Sequence, residues 1–197
     1  MKALKINILQ RSFFSLLLVA SMGGAFLACQ DAQKQNPTKQ TMATAEKPDM
    51  DLEVAVIQGN LGAVKEHIAA GTDLNTKNPM SGSTPLISAI TFGKTEIANA
   101  LINAGADLSV KNNDGATALH VAAFFCRVAL VKELLDAGAD KTLRNNFGAT
   151  PRESIMGPFA EAKPIYEFMQ GQLGSLGLEL DLEELEKARP VVAVMLQ

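Results

Sequence analysis

The fold is decided by residues 117–140, which read TALHVAAFFCRVALVKELLDAGAD. Thr117 is a residue type that caps helices, and the apolar residues after it have the spacing of one narrow helical face. A second helical pattern covers about residues 129–137. It stops at Gly138, the residue type that most readily adopts the left-handed conformation at a helix end. The stretch therefore predicts two short helices joined by a turn.

A self-similar pattern extends beyond this stretch. Segments beginning at residues 84, 117 and 150 align at a period of 33, and the sequence Ala-Gly-Ala-Asp occurs at both 104–107 and 137–140. Each unit leaves apolar surface on two sides, so only stacking against its neighbours buries that surface, and about three units are needed for stability. The chain is therefore predicted to fold as a stack of repeats.

The pattern Thr-x-Leu-His-x-Ala-Ala at 117–123, followed by a leucine-rich helix and Ala-Gly-Ala-Asp, closely resembles the ankyrin repeat. The resemblance covers about residues 51–170. It implies an all-α fold, an ankyrin-repeat solenoid of helix-turn-helix units with hairpin-like finger loops. About four repeats are expected, with the caps included.

This interpretation divides the chain into four parts. They are a signal peptide at 1–28, a disordered tether at 29–49, an ankyrin-repeat domain at 50–171 and a C-terminal helical cap at 172–197. The units of the repeat domain are expected at about 51–83, 84–116, 117–149 and 150–171. The last unit contains Gly157, Pro158 and Pro164, which interrupt the helical pattern and predict a distorted repeat. The C-terminal cap is expected to cover that repeat as a lid.

The segment 1–28 has the pattern of an export signal. A basic segment without acidic residues, 1–11, precedes the uncharged stretch SFFSLLLVASMGGAFLA at 12–28. The sequence Phe-Leu-Ala-Cys that follows its last glycines resembles a bacterial lipobox, in which the cysteine is lipidated, although Phe26 stands where Leu or Val is usual. The resemblance implies lipidation of Cys29. A retained transmembrane anchor is the alternative for the apolar stretch.

The segment after Cys29 is polar and contains proline, so it cannot offset the entropy cost of ordering and is expected to be a disordered tether. By resemblance to Gram-negative lipoproteins, Gln30 favours the outer membrane. We therefore expect an outer-membrane lipoprotein of the periplasm or cell envelope, attached to the membrane only through its N-terminal lipid anchor. A soluble periplasmic or secreted protein is the alternative.

Residues that usually carry catalysis or bind metals are sparse. The chain has two histidines and two cysteines, and with Cys29 assigned to lipidation no metal site and no cofactor is expected. The ankyrin resemblance implies that His120 forms a hydrogen bond within its turn, while His67 is expected at the solvent edge. Cys126 lies where other repeats have glycine. It is expected to pack as a small residue, with a thiol-dependent enzyme as the remote alternative.

The partner is expected to be a protein. The net charge of -3 and the lack of a basic stripe argue against nucleic acid, whose phosphates need clustered Lys and Arg. In ankyrin repeats, finger loops and first helices line a concave binding face. The positions that this resemblance assigns to the face are Met80, Phe92, Asn113, Ala116, Phe124, Phe125 and Phe147.

Aromatic side chains on an exposed face are typical of binding hot spots. Phe92 and Phe125 are separated by one full period and so occupy equivalent positions in adjacent repeats. The alternative is that these phenylalanines pack between repeats or under the C-terminal lid. The predicted function is a monomeric, non-catalytic protein-protein interaction module that binds a client protein. A structural or self-associating envelope lipoprotein is the alternative.

Overall fold

The computed structural model describes residues 48–197, which contain eight α-helices, two short 3-10 helices and no strand. The predicted all-α fold is confirmed. The predicted signal peptide at 1–28, the lipidation site Cys29 and most of the tether at 29–49 lie outside the described residues. Within residues 48–197, every helix is too short or too polar to cross a membrane.

Six of the helices form three pairs. The first pair is α1, Leu52–Gln58, and α2, Leu61–Ala69. The second pair is α3, Pro85–Thr91, and α4, Thr95–Asn103. The third pair is α5, Ala118–Phe124, and α6, Val128–Asp136. The first helix of every pair has 7 residues and the second has 9, so three copies of one unit follow each other, as the sequence period predicts.

Local capping explains where the first helices begin. The hydroxyl oxygen of Thr84 accepts a hydrogen bond from the backbone N–H of Ile87 at 3.3 Å. Pro85 follows at the first helical position, where a missing N–H costs nothing. α1 lacks the threonine and uses Asp51 instead, whose carboxylate accepts from the N–H of Glu53 at 2.9 Å. At the start of α1 and of α3, a side-chain oxygen therefore accepts a hydrogen bond from a first-turn N–H group that has no partner within the helix.

The pairs stack in two layers. α1, α3 and α5 lie side by side in one layer, and α2, α4 and α6 lie side by side in the other. Small residues at the equivalent positions Ala55, Ala89 and Ala122 are 0% exposed, which lets neighbouring helices of the first layer approach closely. Branched side chains fill the space around them. The largest of these fully buried side chains include Leu86, Ile87, Ile90, Leu101, Leu119, Leu130 and Leu134.

The C-terminal unit departs from this plan. Its first helix is reduced to the 3-10 turn Glu153–Ile155, which packs against α5. The chain then forms a long helix α7, Phe159–Leu173, a second 3-10 turn, Gly174–Leu176, and helix α8, Leu182–Met195. The fourth repeat is therefore distorted, and its second helix is not supplied by the residues that directly follow its first.

α8 continues the second layer, because it packs against α6 as α6 packs against α4. Its side chains Leu185 and Val192 are buried there. The expectation that the C-terminal segment covers the fourth unit is corrected, since α8 lies chiefly on the third unit and takes the place of a missing second helix. The physical reason is local: Pro158 disfavours a helical conformation at Gly157 and so ends the 3-10 turn. α7 then packs its Tyr166 against Phe124 of α5, and α8 is the helix that continues the second layer.

Candidate protein-binding surface

Three loops connect each second helix to the next first helix or 3-10 turn. We call the loops at 72–83, 106–116 and 139–149 fingers 1, 2 and 3. An asparagine closes each one: the backbone N–H of Asn112 donates to the carbonyl of Ala116, and that of Asn145 donates to the carbonyl of Ala149, both at 3.0 Å. Asn78 makes the corresponding bond in finger 1. The same hairpin-like turn is thus built three times.

A second asparagine joins each finger to the one before it. The backbone N–H of Asn113 donates to the carbonyl of Ser81 at 3.1 Å, and its side-chain amide donates to the carbonyl of Met80 at 2.7 Å. Asn146 repeats this one step along, with its N–H donating to the carbonyl of Asp114 at 3.0 Å and its side-chain amide to the carbonyl of Asn113 at 2.9 Å. These bonds hold the three tips in register.

We call the aligned tips the finger-tip row, which consists of Met80, Asn113, Asp114, Asn146 and Phe147. Met80 at one end is 38% exposed and Phe147 at the other end is 43% exposed, while the asparagines between them are also exposed. The joints fix the backbone under these side chains. A partner that covers the row therefore loses little conformational entropy on the side of this chain.

Cationic side chains run along the same fingers. The Nζ of Lys77 donates to the carbonyl of Lys111 at 2.7 Å, and the Nζ of Lys111 donates to the carbonyl of Arg144 at 2.9 Å. In finger 3 the guanidinium of Arg144 instead donates to the carboxylate of Glu153 at 2.7 Å. Each long side chain is therefore held by the next element of the stack, which further stiffens the fingers.

His120 connects the third unit to the next turn. The backbone N–H of Thr117 donates to its Nδ1 at 3.3 Å, so Nε2 carries the proton and donates to the carbonyl of Ala149 at 3.1 Å. Burial lowers the pKa of His120, which favours the neutral ring that both bonds require. The predicted hydrogen bond of His120 within its turn is confirmed.

The helix pairs, the fingers and the threonine–histidine start occur together, and residues 52–145 match the family model described as "Ankyrin repeats (3 copies)". Residues 52–145 form ankyrin repeats. The crystal structure of the ankyrin repeat domain of Bcl-3, described as a unique member of the IkappaB protein family, is similar to this chain with a TM-score of 0.52 and 27% identity. The similarity covers 59% of this chain and 53% of that one.

Two relatives share part of the ankyrin-repeat sequence. The 2-5A-dependent ribonuclease of Mus musculus is 32% identical over 85 residues, which are 43% of this chain and 12% of the ribonuclease. Protein phosphatase 1 regulatory subunit 27 is 41% identical over 64 residues in both Homo sapiens and Mus musculus, covering 32% of this chain and 41% of that protein. The chain therefore spans less than half the length of either relative.

The predicted phenylalanines of the first ankyrin helices have different surroundings. Phe92 is half-buried at the end of α3. Phe124 is half-buried, with its ring centroid 4.7 Å from that of Tyr166 in α7. Phe125 is only 3% exposed and borders the cleft between the α5–α6 turn and the start of α8. The expectation that Phe125 faces a partner is corrected, because this residue belongs to the interior where α8 closes the stack.

The remaining predicted positions lie in the fingers. Met80, Asn113 and Phe147 are exposed members of the finger-tip row. Ala116 is half-buried, and its N–H and carbonyl both bond to Asn112, so it shapes the turn rather than offering a contact. The prediction omitted Asn146, although its recurrence one period after Asn113 is visible in the sequence. It also omitted Asp114, whose place in the row depends on contacts between fingers.

Cys126 occupies a position with positive φ where the other repeats have glycine. Its φ is +50°, where the equivalent Gly59 and Gly93 have φ of +75° and +66°. The side chain is 8% exposed, and burial raises the pKa of its thiol to about 11, against the opposing charges of Arg189 and Arg127. A nucleophilic cysteine needs a thiolate near neutral pH. The geometry therefore fits the expected packing role.

His67 differs from its prediction. It is 2% exposed, with Nδ1 3.0 Å from the hydroxyl oxygen of Thr72 and Nε2 2.7 Å from the carbonyl oxygen of Met50. The expectation of a solvent-edge residue is wrong, because the chain before α1 folds back over the ring. Among residues 48–197, no group of three or more His, Cys, Asp and Glu side chains is arranged to hold a metal ion.

Proposed function

We propose that this ankyrin-repeat chain is a non-catalytic protein-protein interaction module of the bacterial cell envelope, which binds a client protein through its finger-tip row. The observation that carries the proposal is the exposure of Met80 and Phe147 at the two ends of a row whose backbone is fixed by hydrogen bonds. Because these side chains are 38% and 43% exposed, covering the rest of each one stabilises a complex by about 1 kcal/mol before the costs of association.

The polar centre of the row supports a protein as the partner. Asn113 and Asn146 are exposed between the two apolar ends, and protein interfaces combine apolar contacts with about ten direct hydrogen bonds, which such amides can form. The phosphatase relatives are named as regulatory subunits, that is, as proteins that act through another protein. We infer the same mode of action for this chain.

A binding role without catalysis is supported by the state of the reactive side chains. The thiol of Cys126 is buried with its pKa raised to about 11, and His67 and His120 are both engaged in hydrogen bonds that hold loops in place. General acid–base or nucleophilic work would require these groups to face a substrate in another protonation state. Neither histidine nor Cys126 belongs to the finger-tip row, whose titratable member is the half-buried Asp114.

Export to the envelope is supported by the sequence of the segment 1–29 alone. The basic start, the apolar stretch and Cys29 follow the order of a lipoprotein signal, and the polar segment after Cys29 would carry the ankyrin repeats away from the membrane. We therefore propose an outer-membrane lipoprotein in the periplasm that acts as a monomer.

The client-binding proposal is tested with two matched double variants. Met80→Ser/Phe147→Ser removes the apolar ends of the row, and Met156→Ser/Phe168→Ser removes the same residue types at positions 53% and 43% exposed outside it. Affinity capture from a periplasmic extract, quantified by mass spectrometry, is expected to lose one client at least tenfold with the row variant only. Equal recovery with both variants would overturn the row as the binding surface.

The lipid anchor is tested separately by growth of the producing bacterium with an alkyne-labelled fatty acid. The full chain is expected to take up the label and to fractionate with the outer membrane, while Cys29→Ser takes up none. Label on both forms, or on neither, would contradict lipidation at Cys29. Client capture by the Cys29→Ser variant remains expected, because the finger-tip row does not depend on the anchor.

A further inference from the structure

The hydrogen bonds between successive fingers end at finger 3, where two backbone carbonyls accept no hydrogen bond from residues 48–197. Each existing joint uses two carbonyls: those of Ser81 and Met80 accept from Asn113, and those of Asp114 and Asn113 accept from Asn146. In finger 3, the residues equivalent to Asp114 and Asn113 are Phe147 and Asn146, one period later in the sequence. No donor among residues 48–197 bonds to the carbonyl of either one, and both residues are exposed. Finger 3 therefore has an open edge.

The space beside this edge is also free. A Cβ added at Gly82 would lie 2.3 Å from the side-chain oxygen of Asn113, and one at Gly115 would lie 2.3 Å from that of Asn146. These two glycines are thus covered by the asparagine of the following finger. The equivalent Gly148 has no atom of the described residues within 4 Å of the same position. The place where a following asparagine would lie is open.

Residues 48–197 do not supply the missing group. After Asn146 the sequence contains no asparagine, and the fourth unit forms α7 where a further finger would begin. A second copy stacked in the same register is excluded as well. Its finger 1 would present Pro79 at the position of Asn113 and Asn146, and proline has neither a backbone N–H nor a side-chain amide.

We propose that the open edge of finger 3 is a docking site for an asparagine-bearing turn of a partner protein. The backbone N–H of that asparagine donates to the carbonyl of Phe147, its side-chain amide donates to the carbonyl of Asn146, and the ring of Phe147 packs against the turn. This deepens the proposed function, on which it rests, by naming the recognised chemistry. The main-chain bond in a fixed register contributes affinity, and the bond from the side-chain amide gives the preference for asparagine.

The site is tested with cyclic peptides that copy finger 2, KNNDGAT at 111–117, added to the ¹⁵N-labelled full chain in detergent micelles. The parent peptide is expected to shift the amide resonances of Phe147, Gly148 and Ala149. A peptide with Asp in place of the second asparagine keeps the backbone donor and should bind about tenfold more weakly. A peptide with Pro there loses both donors and should not bind at the highest concentration used.

Equal binding of the three peptides, shifts at other residues or the lack of any binding would each overturn the site. Concentration-dependent shifts of the same resonances without peptide would show that a second copy occupies the edge and would also overturn it. The proposed function fails separately. If the Met80→Ser/Phe147→Ser variant loses its client while the peptides do not bind, the finger-tip row binds a partner by other contacts and only the asparagine-bearing turn is rejected.

Discussion

Arg189 of α8 donates a hydrogen bond from its guanidinium to the hydroxyl oxygen of Tyr166 of α7 at 3.1 Å, and both side chains are buried. The hydroxyl of Tyr166 in turn donates to the carbonyl of Phe124 at the end of α5 at 2.6 Å. The other guanidinium nitrogen donates to the carbonyls of Ile155 and Gly157 at 2.8 and 3.0 Å. One side chain thus connects α7, α8 and the fourth-unit turn to the stack.

This network predicts that Arg189→Met lowers the free energy of unfolding by about 2 to 4 kcal/mol, because two buried acceptors, at Tyr166 and Ile155, and the partly buried carbonyl of Gly157 lose their donor at once. Urea unfolding followed by circular dichroism measures the change. Lys187→Met on the same helix is the matched control, since Lys187 pairs only with the exposed Glu183, and its effect should stay within about 0.5 kcal/mol. A similar loss in both variants would contradict the role of the buried network.

Cys126 has a left-handed backbone conformation, so we expect glycine at this position to be more stabilising than alanine, the reverse of the usual order. Glycine is normally less stable than alanine by about 0.5 to 1 kcal/mol, but at φ of +50° it avoids the strain that every Cβ incurs. Cys126→Gly is therefore expected to be more stable than Cys126→Ala by about 1 kcal/mol in thermal or urea unfolding. An alanine variant that is the more stable of the two would show that the strain is relieved elsewhere.

The ankyrin-repeat units could be predicted from sequence because their causes are local. Thr84, Thr117 and the glycines near the helix ends act within a few residues, so the period of 33 carries them directly. The contacts of the C-terminal segment are not local. Arg189 lies 34 positions from Ile155 and 23 from Tyr166. The other charged residues of α8 are mostly exposed, and the sequence does not distinguish the buried Arg189 from them.

For the candidate site, too, the sequence predicts the features that follow from the repeat and misses those that depend on the packing of α8. The repeat predicts that Met80, Asn113 and Phe147 lie in the finger loops, and they are exposed there, while binding by these residues stays a prediction. Phe92 and Phe125 are equivalent in sequence but not in structure, since Phe125 lies beside α8 and Phe92 does not. The end of a stack changes the environment of a repeated residue, and only the packing of α8 reveals that change.

Asp114 predicts a pH dependence at the finger-tip row. Burial raises the pKa of its carboxyl from 3.8 to about 6, so between these values the folded chain holds a proton that the unfolded chain has released. Stability therefore falls as pH rises from about 4 to 6 and stays lower above that. Asp114→Asn removes the buried charge and should raise stability at pH 7 by about 1 kcal/mol, a value reduced from the full shift because the carboxyl is partly exposed to solvent.

Urea unfolding at pH 4 and pH 7 measures this difference for the parent chain and the variant. Asp140→Asn is the contrasting control, because hydrogen bonds from Thr142 lower the pKa of Asp140 and its charge is favoured in the folded state. Its replacement should reduce stability at pH 7. Matching responses of the two variants would rule out burial as the cause at Asp114.

His120 predicts the opposite pH response. Its folded pKa is lowered by burial, so the neutral ring is favoured, and its contribution is complete above the unfolded pKa of about 6.5 and is lost as pH falls below that value. Protonation would place a second donor at Nδ1 against the N–H of Thr117. His120→Ala should therefore lower the free energy of unfolding by about 1 to 3 kcal/mol at pH 7, because two hydrogen bonds are lost, and by less at pH 5.

Urea unfolding of the parent chain and the His120→Ala variant at the two pH values measures this difference. Both chains carry Asp114→Asn, so that the titration of that carboxyl does not contribute. A penalty at pH 5 as large as that at pH 7 would mean that the ring stays neutral or that its packing alone stabilises the turn.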